Sequence, residues 1–557
     1  MEAMNRAQQW SDDVYFDEST RGAAQKMLQD EGAVLAAFGS ELSFGTGGLR
    51  GIVGTGTARM NRYTVARATL GLAHALKQRG AKAGVVIAHD SRHGSDEFTA
   101  VAAGVLAGQG IHVHVFPVLA PTPMLSYAVR ALKLDAGVMI TASHNPAEYN
   151  GYKVYGSDGC QITDLAAKEI TECIAAVGYT DAVILTEAEA RAAGFWHDVD
   201  DSLRRSFAQA CLFCRPDPTV CTAVNVVYTP LHGTGLLPVR EVLGLMQGVT
   251  VTEVEEQCAP NGDFPTCPKP NPEIDETLAM GIALCRETGA DLLLATDPDC
   301  DRVGVAVKDG EAYALINGNE MGVLLLDFVC RMRLAQKKMP AVPVAVKTIV
   351  TTPMAARVAE HYGVELVDVL TGFKFIGEQI GLLEQKGEEK RYIFGFEESY
   401  GYLSGSFVRD KDAVNASLLI CEMFAYYKAQ SRTLVDVLAE LYETYGVYES
   451  RLLSFAFEGS AGFAKMQALI QSLREQKPQE IAGLAVEKII DYRNDDTGLP
   501  KSNVLRFFLV GGLEAVVRPS GTEPKLKVYL TAVGETRADA AAVADKLSAH
   551  FEAWAKA

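Results

Sequence analysis

Short apolar runs alternate with longer, alanine-rich segments along most of the chain. This pattern predicts buried strands separated by helices, as in sheets of α/β proteins. The runs form three groups of three, at 84–90, 111–116 and 136–140, at 223–228, 249–254 and 291–296, and at 343–347, 364–369 and 391–395. In each group the third run leads directly into a polar segment. Three related α/β domains, each contributing one loop to a shared cleft, explain this pattern, although any α/β chain has strands at a similar spacing.

The C-terminal part of the chain shows a different pattern. Apolar and polar positions alternate over 504–510, 513–518 and 525–530, with short turns between them. Such alternation predicts an antiparallel sheet, which we expect a final helix to close. The sequence therefore predicts an α/β protein with three related α/β domains that have mixed sheets, plus a C-terminal α+β domain, around a central cleft. We place the domains at 1–205, 206–315, 316–445 and 446–557.

Composition agrees with several globular domains, since 48% of the 557 residues are hydrophobic and 22% are charged. Asp and Glu number 70 against 52 Lys and Arg, for a net charge of −18. This balance disfavours general attraction to nucleic acid or to an anionic membrane. No signal segment is visible, and no apolar run reaches the roughly 20 residues that span a bilayer. We expect a cytoplasmic protein, either a monomer or a small homo-oligomer.

The eleven cysteines have no regular spacing. Cys211 and Cys214 form a C-x-x-C pair, but no second pair lies at the spacing of a zinc finger. We interpret them as reduced core or surface thiols rather than as a disulfide framework.

The first polar segment, 141–146 (Thr-Ala-Ser-His-Asn-Pro), places Ser143 directly behind the run 136–140. The carboxyl end of a strand is where α/β folds usually carry their catalytic groups. No Gly-x-Ser-x-Gly pattern surrounds Ser143, which disfavours a serine esterase. On the residues alone, Ser143 is either a nucleophile or the cap of a helix that follows a βα turn.

The second polar segment alternates three aspartates, Asp297, Asp299 and Asp301. Their carboxylates can converge on a hard cation such as Mg²⁺. A calcium EF-hand would need glycine and glutamate where this chain has Arg302 and Lys308, so we exclude it. A solvated acidic turn is the alternative, which the apolar run before it disfavours.

The third and fourth polar segments suit a sugar and a phosphate. Segment 396–401 (Phe-Glu-Glu-Ser-Tyr-Gly) offers Glu397 and Ser399, whose carboxylate and hydroxyl can bind a vicinal diol. Segment 518–525 (Arg-Pro-Ser-Gly-Thr-Glu-Pro-Lys) offers a guanidinium, two hydroxyls, a glycine that allows close backbone approach, and an ammonium. That set suits a phosphate dianion.

These four segments, in this order, resemble the α-D-phosphohexomutase superfamily, which includes phosphoglucomutases and phosphomannomutases. The resemblance covers nearly the whole chain, and segment 44–51 (Phe-Gly-Thr-Gly-Gly-Leu-Arg-Gly) is most similar to the branch of bacterial phosphoglucomutases and phosphopentomutases. It implies a phosphoryl group on Ser143 that passes to a sugar phosphate and is then replaced from it. It also implies Mg²⁺ held by Ser143, Asp297, Asp299 and Asp301, and glucose 1,6-bisphosphate as the activating intermediate.

The resemblance further implies roles for single residues. It places Arg50, His144, Lys153 and Arg302 around the transfer site, and leaves the general base open between His144 and Lys153. It implies a set of substrate contacts at Thr46, Lys347, Lys374, Glu397, Ser399, Arg518, Ser520, Gly521, Thr522 and Lys525. For the two lysines at 347 and 374, the alternative is that each is merely solvated near a strand end.

The implied function is interconversion of glucose 1-phosphate and glucose 6-phosphate, with pentose or mannose phosphates as alternatives. Tyr400 and Tyr402 stand where many members carry a Gly-His pair, which leaves the preferred sugar open. An alternative of another class is a haloacid dehalogenase-like phosphatase with Asp297 as nucleophile. That interpretation gives Ser143 no role, and Asp301 stands where that family prefers Thr or Val. A sugar-phosphate binding protein without catalysis is the third alternative.

One supporting interaction is also predicted near Ser143. Asp90 and Arg92 follow the first strand of the chain's first group, where an acid and a base readily form a buried ion pair. We expect this pair to order the loops around Ser143.

Overall fold

The computed structural model describes residues 1–45, 47–457, 459–494, 497–519 and 525–556. In these ranges the strands assemble into four sheets, the first three mixed and the last antiparallel. The predicted α/β architecture with a C-terminal α+β domain is confirmed. The domain boundaries given above remain a prediction. In the described ranges, no helix is both long enough and apolar enough to span a membrane.

The N-terminal region begins with three helices that pack around Trp10, Phe16 and Phe38. The first sheet follows, with strand order β1-β5-β4-β2-β3-β6. The elements are α1 (Glu2–Asp12), α2 (Glu18–Met27), α3 (Glu31–Phe38), β1 (Gly48–Ile52), α4 (Arg62–Gln78), β2 (Val85–His89), α5 (Ser95–Gly108), β3 (Val113–Val115), α6 (Thr122–Ala131), β4 (Ala136–Ile140), β5 (Tyr149–Gly156), α7 (Asp164–Ala175), α8 (Glu187–Ala192) and β6 (Trp196–Asp198).

The second sheet has the order β11-β10-β9-β7-β8. Its elements are α9 (Ser202–Phe213), β7 (Val224–Thr229), α10 (Leu236–Gly244), β8 (Val249–Glu253), α11 (Glu255–Cys258), α12 (Asp275–Thr288), β9 (Leu292–Thr296), β10 (Val303–Asp309) and β11 (Ala312–Ile316).

The third sheet has the order β13-β12-β14-β15. Its elements are α13 (Gly318–Ala335), β12 (Val344–Thr348), α14 (Met354–Tyr362), β13 (Glu365–Val369), α15 (Phe373–Gln385), a 3₁₀ turn (Glu389–Arg391), β14 (Tyr392–Glu397), β15 (Gly401–Leu403), α16 (Ala413–Lys428) and α17 (Leu434–Tyr445).

The fourth sheet has the order β16-β21-β20-β19-β18-β17 and is closed by a final helix, as predicted. Its elements are β16 (Val447–Ala456), α18 (Gly459–Gln476), β17 (Glu480–Ile481), β18 (Leu484–Asp491), β19 (Leu505–Leu509), β20 (Leu513–Pro519), β21 (Lys525–Gly534) and α19 (Arg537–Lys556).

The first three sheets share one topology, which confirms the repeat predicted from the sequence. In each, the second, first and third predicted strands lie side by side in parallel, and the third pairs with an antiparallel strand that follows it: β4 with β5, β9 with β10, and β14 with β15. Each predicted functional loop is therefore the connection of an antiparallel pair rather than a strand-to-helix turn.

Each of these loops also contains a non-glycine residue in the left-handed region, namely Ser143 (φ 54°), Cys300 (φ 52°) and Tyr400 (φ 65°).

One cluster of buried apolar side chains joins the first three sheets, since it includes Val86, Leu294 and Val346. The fourth sheet has its own cluster, with Phe507 and Val528 packed near α19. Because one cluster joins the first three sheets, it holds their loops in a fixed relation, and Val516 and Tyr529 of the fourth domain also pack into it.

Candidate active site

Ser143 lies buried at the turn between β4 and β5, with its side chain directed at the second domain. Its Oγ donates to Oδ2 of Asp297 at 2.9 Å and lies 3.2 Å from Nδ1 of His144. The capping alternative is wrong, because β5 follows the turn and no helix begins there. The serine hydroxyl is thus held beside the aspartate loop of another domain.

The turn that carries Ser143 is fixed by the predicted ion pair. Nε of Arg92 lies 3.2 Å from Oδ2 of Asp90, and both side chains are fully buried. Arg92 also donates to the backbone carbonyls of Ser143 at 2.6 Å and Pro146 at 2.8 Å. Asp90 in turn accepts from the Thr141 hydroxyl at 2.6 Å. The guanidinium therefore satisfies the buried carbonyls of a turn that has no helix or sheet partners of its own.

The three predicted aspartates converge in the loop between β9 and β10, and none is more than 1% exposed. One oxygen from each lies within 4.8 Å of the others. Oδ1 of Asp299 and Oδ1 of Asp301 are buried without a hydrogen-bond partner. The solvated-turn alternative is wrong, and this group of carboxylates can hold a metal ion, since unpartnered buried oxygens otherwise cost free energy.

Two ammonium groups face the carboxylates. Nζ of Lys153, on β5, lies 2.8 Å from Oδ2 of Asp299 and 3.7 Å from Oδ2 of Asp301. Nζ of Lys411 lies 2.9 Å from the same Asp301 oxygen. Burial alone would raise the pKa of Asp299, but the Lys153 ammonium outweighs it and holds that pKa below its usual range. Burial raises the pKa of Asp297 well above its usual value, and the charges of Asp301 and Asp299 raise it further.

Lys411 was missed by the sequence reasoning. The only signal is the dense charge of segment 409–412 directly before α16. Thr122 was also missed, although its hydroxyl donates to Oδ2 of Asp299 at 2.8 Å.

His144 is surrounded by positive charge. Burial lowers its pKa well below the usual value, and the guanidinium groups of Arg302 and Arg50 lower it further. Arg302 forms an ion pair with Glu273, at 2.5 Å between Nη1 and Oε1. Burial opposes the charge on Arg302, yet Glu273 and Asp301 raise its pKa overall. The site therefore presents a neutral imidazole and a fixed guanidinium around the Ser143 hydroxyl.

The third loop contributes two adjacent carboxyl groups, of which Glu397 is buried and Glu398 is partly exposed. Burial raises the pKa of Glu397, against the opposing charges of Lys411 and Arg302, and Ser399 hydrogen-bonds to it. Burial and the neighbouring Glu397 raise the pKa of Glu398 to about 7. Glu397 thus lies among the charges of the metal-site loop, with the Ser399 side chain bonded to it, and the binding of a sugar diol by this pair remains a prediction.

The two lysines of the third domain are buried rather than solvated, so that alternative is wrong. Nζ of Lys347 lies 2.9 Å from Oδ1 of Asp368, and Nζ of Lys374 lies 3.1 Å from Oδ1 of Asp164. Asp368 also pairs with Arg506 of the fourth domain, at 3.1 Å. Lys347 and Lys374 thus have protein partners, and they lie at domain contacts rather than among the aspartates.

The fourth domain presents Arg518 toward the second and third loops. Arg518 lies opposite Lys527 in the ladder of β20 and β21 and hydrogen-bonds to Tyr529. Burial and Arg518 lower the pKa of Lys527, while the carboxylates of Glu273 and Glu398 act in the opposite direction. Lys525 begins β21. The predicted substrate residues Ser520, Gly521 and Thr522, like Thr46 in the first domain, lie outside the described residues.

Comparison with known proteins agrees with this geometry. Models of the phosphoglucomutase/phosphomannomutase family match residues 41–180 (α/β/α domain I), 211–310 (domain II), 317–445 (domain III) and 469–550 (C-terminal domain). A phosphoglucomutase of Staphylococcus epidermidis is 38% identical over 506 residues, which cover 88% of this chain and 90% of that protein. A phosphoglucomutase of Staphylococcus aureus (strain USA300) is 38% identical over 509 residues, with 89% and 90% covered.

Solved structures share the fold at lower identity. A putative phosphomannomutase from Thermus thermophilus superposes with a TM-score of 0.70 at 23% identity, covering 93% of this chain and all of that one. The parafusin phosphoglucomutase from Paramecium, in an open form, gives a TM-score of 0.69 at 17% identity, covering 91% and 94%. The haloacid dehalogenase alternative has no support among these matches.

Proposed function

The chain belongs to the phosphoglucomutase/phosphomannomutase family, and from this membership we propose that it interconverts glucose 1-phosphate and glucose 6-phosphate. It is an isomerase that moves a phosphoryl group within its substrate, by way of a phosphorylated Ser143 and a bisphosphorylated sugar. The observation that carries the proposal is the hydrogen bond, 2.9 Å long, between the Ser143 hydroxyl and Asp297 of a buried three-carboxylate group. A phosphoryl carrier and a cation site are thereby adjacent.

We assign the carboxylate group to Mg²⁺. Asp297, Asp299 and Asp301 offer only hard oxygen donors, and two of those oxygens, Oδ1 of Asp299 and Oδ1 of Asp301, are buried without a hydrogen-bond partner. The ion, when bound, neutralises negative charge on the transferring phosphoryl group. Lys153 and Lys411 offset the carboxylate charge in its place, since each ammonium lies within 3 Å of one carboxylate.

Phosphoryl transfer depends mainly on positioning and charge stabilisation, and the chain supplies both. Arg302, held by Glu273, stabilises charge on the phosphoryl oxygens, and Arg50 adds to the positive field at His144. The receiving sugar hydroxyl must lose a proton. We assign the acceptor role to His144, because its Nδ1 lies 3.2 Å from Oγ of Ser143, whereas Nζ of Lys153 is already a donor to Asp299.

The remaining predicted residues orient the sugar. We assign binding of the sugar hydroxyls to Glu397 and Ser399. We assign binding of the second phosphate, the one that is not being transferred, to Arg518, Lys525 and the segment 520–522. Lys347, Lys374 and Thr46 complete the substrate contacts. Glucose 1,6-bisphosphate serves as the activating intermediate, which must turn over in the cleft so that each of its phosphates meets Ser143 in turn.

Intact-mass spectrometry tests the nucleophile. We expect a fraction of the isolated chain to be heavier by one phosphoryl group, mapped to Ser143, because a phosphoserine survives isolation whereas an aspartyl phosphate would not. Ser143→Ala should lose this fraction and at least about 10³-fold in kcat. Ser157→Ala, an exposed serine at the end of β5, is the matched control. Near wild-type turnover of Ser143→Ala would refute the mechanism.

Kinetics with several sugars test the substrate. We expect a higher kcat/KM for glucose 1-phosphate than for ribose 1-phosphate or mannose 1-phosphate, measured with added catalytic bisphosphate. A tenfold preference for the pentose, about 1.4 kcal/mol, would instead indicate a phosphopentomutase. The two tests are independent, because all these sugars require the phosphoserine.

A further inference from the structure

Three histidines lie together at the edge of the first sheet, and catalysis uses none of them. His114 on β3 lies directly opposite His197 on β6 in a parallel ladder, and His112 precedes β3. Val113 and Val115 of the same segment are buried in the core. Because side chains alternate along a strand, His112 and His114 share the other face of the sheet. His112 is exposed, and the other two are partly exposed.

The imidazole ring of His197 contacts those of both His112 and His114. Nδ1 of His112 lies 3.0 Å from Nε2 of His197. The ring centroids of His112 and His114 lie 5.3 Å and 5.0 Å from that of His197, and both pairs are stacked. A neutral imidazole has a free nitrogen lone pair, which is the form that binds metals.

We propose that His112 and His197 bind a divalent transition-metal ion such as Zn²⁺ or Ni²⁺. Bonds from imidazole nitrogen to zinc are about 2.0–2.1 Å long, so two nitrogens at ligand angles of 90° to 109° lie about 2.9–3.4 Å apart. The observed separation of 3.0 Å falls within this range. The ring nitrogens are therefore already spaced as a pair of ligands.

The chemistry of the site separates it from the catalytic group. Imidazole suits Zn²⁺, Ni²⁺ and Cu²⁺, whereas Mg²⁺ prefers the carboxylate oxygens near Ser143. The backbone under the histidines is fixed by the ladder, in which the Val113 amide donates to the Phe195 carbonyl at 2.7 Å and the Val199 amide to the Val115 carbonyl at 2.9 Å. Since sites built on strands keep their geometry well, little reorganisation opposes binding.

Calorimetric titration of the tag-free chain with Ni²⁺, in the presence of saturating Mg²⁺, tests the proposal. We expect one class of site in the wild type and its loss in the double variant His112→Gln with His197→Gln. Each single variant should bind at least about tenfold more weakly, because an imidazole ligand is missing. His361→Gln removes an exposed histidine of α14 and should bind as the wild type does. Cys221, an exposed thiol, is unchanged in every protein compared, so any contribution from it cancels.

Two results of this titration would overturn the proposal: no Ni²⁺ binding by the wild type, or binding that survives in the double variant. A measurement on the wild type alone covers the case in which a variant misfolds. Ni²⁺ should protect His112 and His197 from acylation by diethyl pyrocarbonate, as read by peptide mass spectrometry, while His361 reacts at the same rate with and without the ion. If Ni²⁺ leaves the acylation of His112 and His197 as unchanged as that of His361, the proposal would also be overturned.

Discussion

Replacing Lys411 by Met should strengthen Mg²⁺ binding. Nζ of Lys411 lies 2.9 Å from Oδ2 of Asp301, an oxygen of the carboxylate group that we assign to Mg²⁺. An ammonium and a divalent cation compete for that oxygen, and their like charges repel. Removing the ammonium therefore removes both a competitor and a repulsion.

The size of the effect follows from that distance. Unit charges 2.9 Å apart at an effective dielectric constant of about 20 attract by about 6 kcal/mol. Most of this attraction does not oppose Mg²⁺, because Lys411 keeps a second partner in Asp410, at 3.4 Å, after it leaves Asp301. If a quarter of the attraction, about 1.4 kcal/mol, opposes Mg²⁺ binding in the wild type, its removal makes Mg²⁺ bind about tenfold more tightly to the variant.

Calorimetric titration of the EDTA-treated, dialysed chain with Mg²⁺, without sugar phosphate, measures this directly. Lys428→Met is the matched control, because Lys428 also forms an ion pair, 2.7 Å from Asp291, but has no contact with the three aspartates. We expect its affinity for Mg²⁺ to equal that of the wild type. An unchanged or weaker affinity in Lys411→Met would refute the competition between ammonium and cation.

Three further predictions follow from the site. EDTA should abolish turnover and Mg²⁺ should restore it, and activity that resists chelation would contradict the metal assignment. Asp299→Asn should raise the Mg²⁺ concentration needed for half-maximal rate. Arg518→Ala should raise KM for glucose 1-phosphate and lower kcat, because the phosphate that is not reacting loses its guanidinium; steady-state kinetics with both constants unchanged would remove Arg518 from the site. Burial beside Glu397 raises the pKa of Glu398 from 4.5 to about 7, so the native carboxyl keeps a proton that the unfolded chain releases, and stability falls as pH rises through that window. The Tm of the wild type, from scanning fluorimetry, should therefore drop more steeply between pH 5 and 7 than that of Glu398→Gln, and parallel curves would show that this carboxyl does not titrate as described.

The parallel strands could be predicted because each is a short run rich in apolar residues, and the central ones, such as β4, β9 and β12, are buried on both faces. The run predicted at 291–296, for example, is β9, Leu292–Thr296. The antiparallel strands β5, β10 and β15 were missed, because each begins close to a functional loop and continues it without a separate turn signal. Their absence from the prediction explains why Ser143 was considered as a possible helix cap.

Motifs located most of the candidate site, because its acidic and hydroxyl groups are concentrated in four short segments. Residues that reach it from elsewhere have no such pattern. Thr122, which donates to Asp299, is 177 residues away along the chain, and nothing around it marks a polar contact. Lys411 and Glu273 join the site only because three sheets pack on one core, which is a property of the tertiary structure.

The left-handed residue shared by the three loops restricts how each loop can change by mutation. Ser143, Cys300 and Tyr400 differ in chemistry but have nearly the same backbone conformation. Glycine and asparagine adopt that conformation readily, whereas valine, isoleucine and threonine are strongly disfavoured there. If the three domains descend from one duplicated ancestor, each copy has been able to acquire a new side chain at this position without rebuilding its loop. Selection for function would then act only on those residues that tolerate the left-handed conformation at this position.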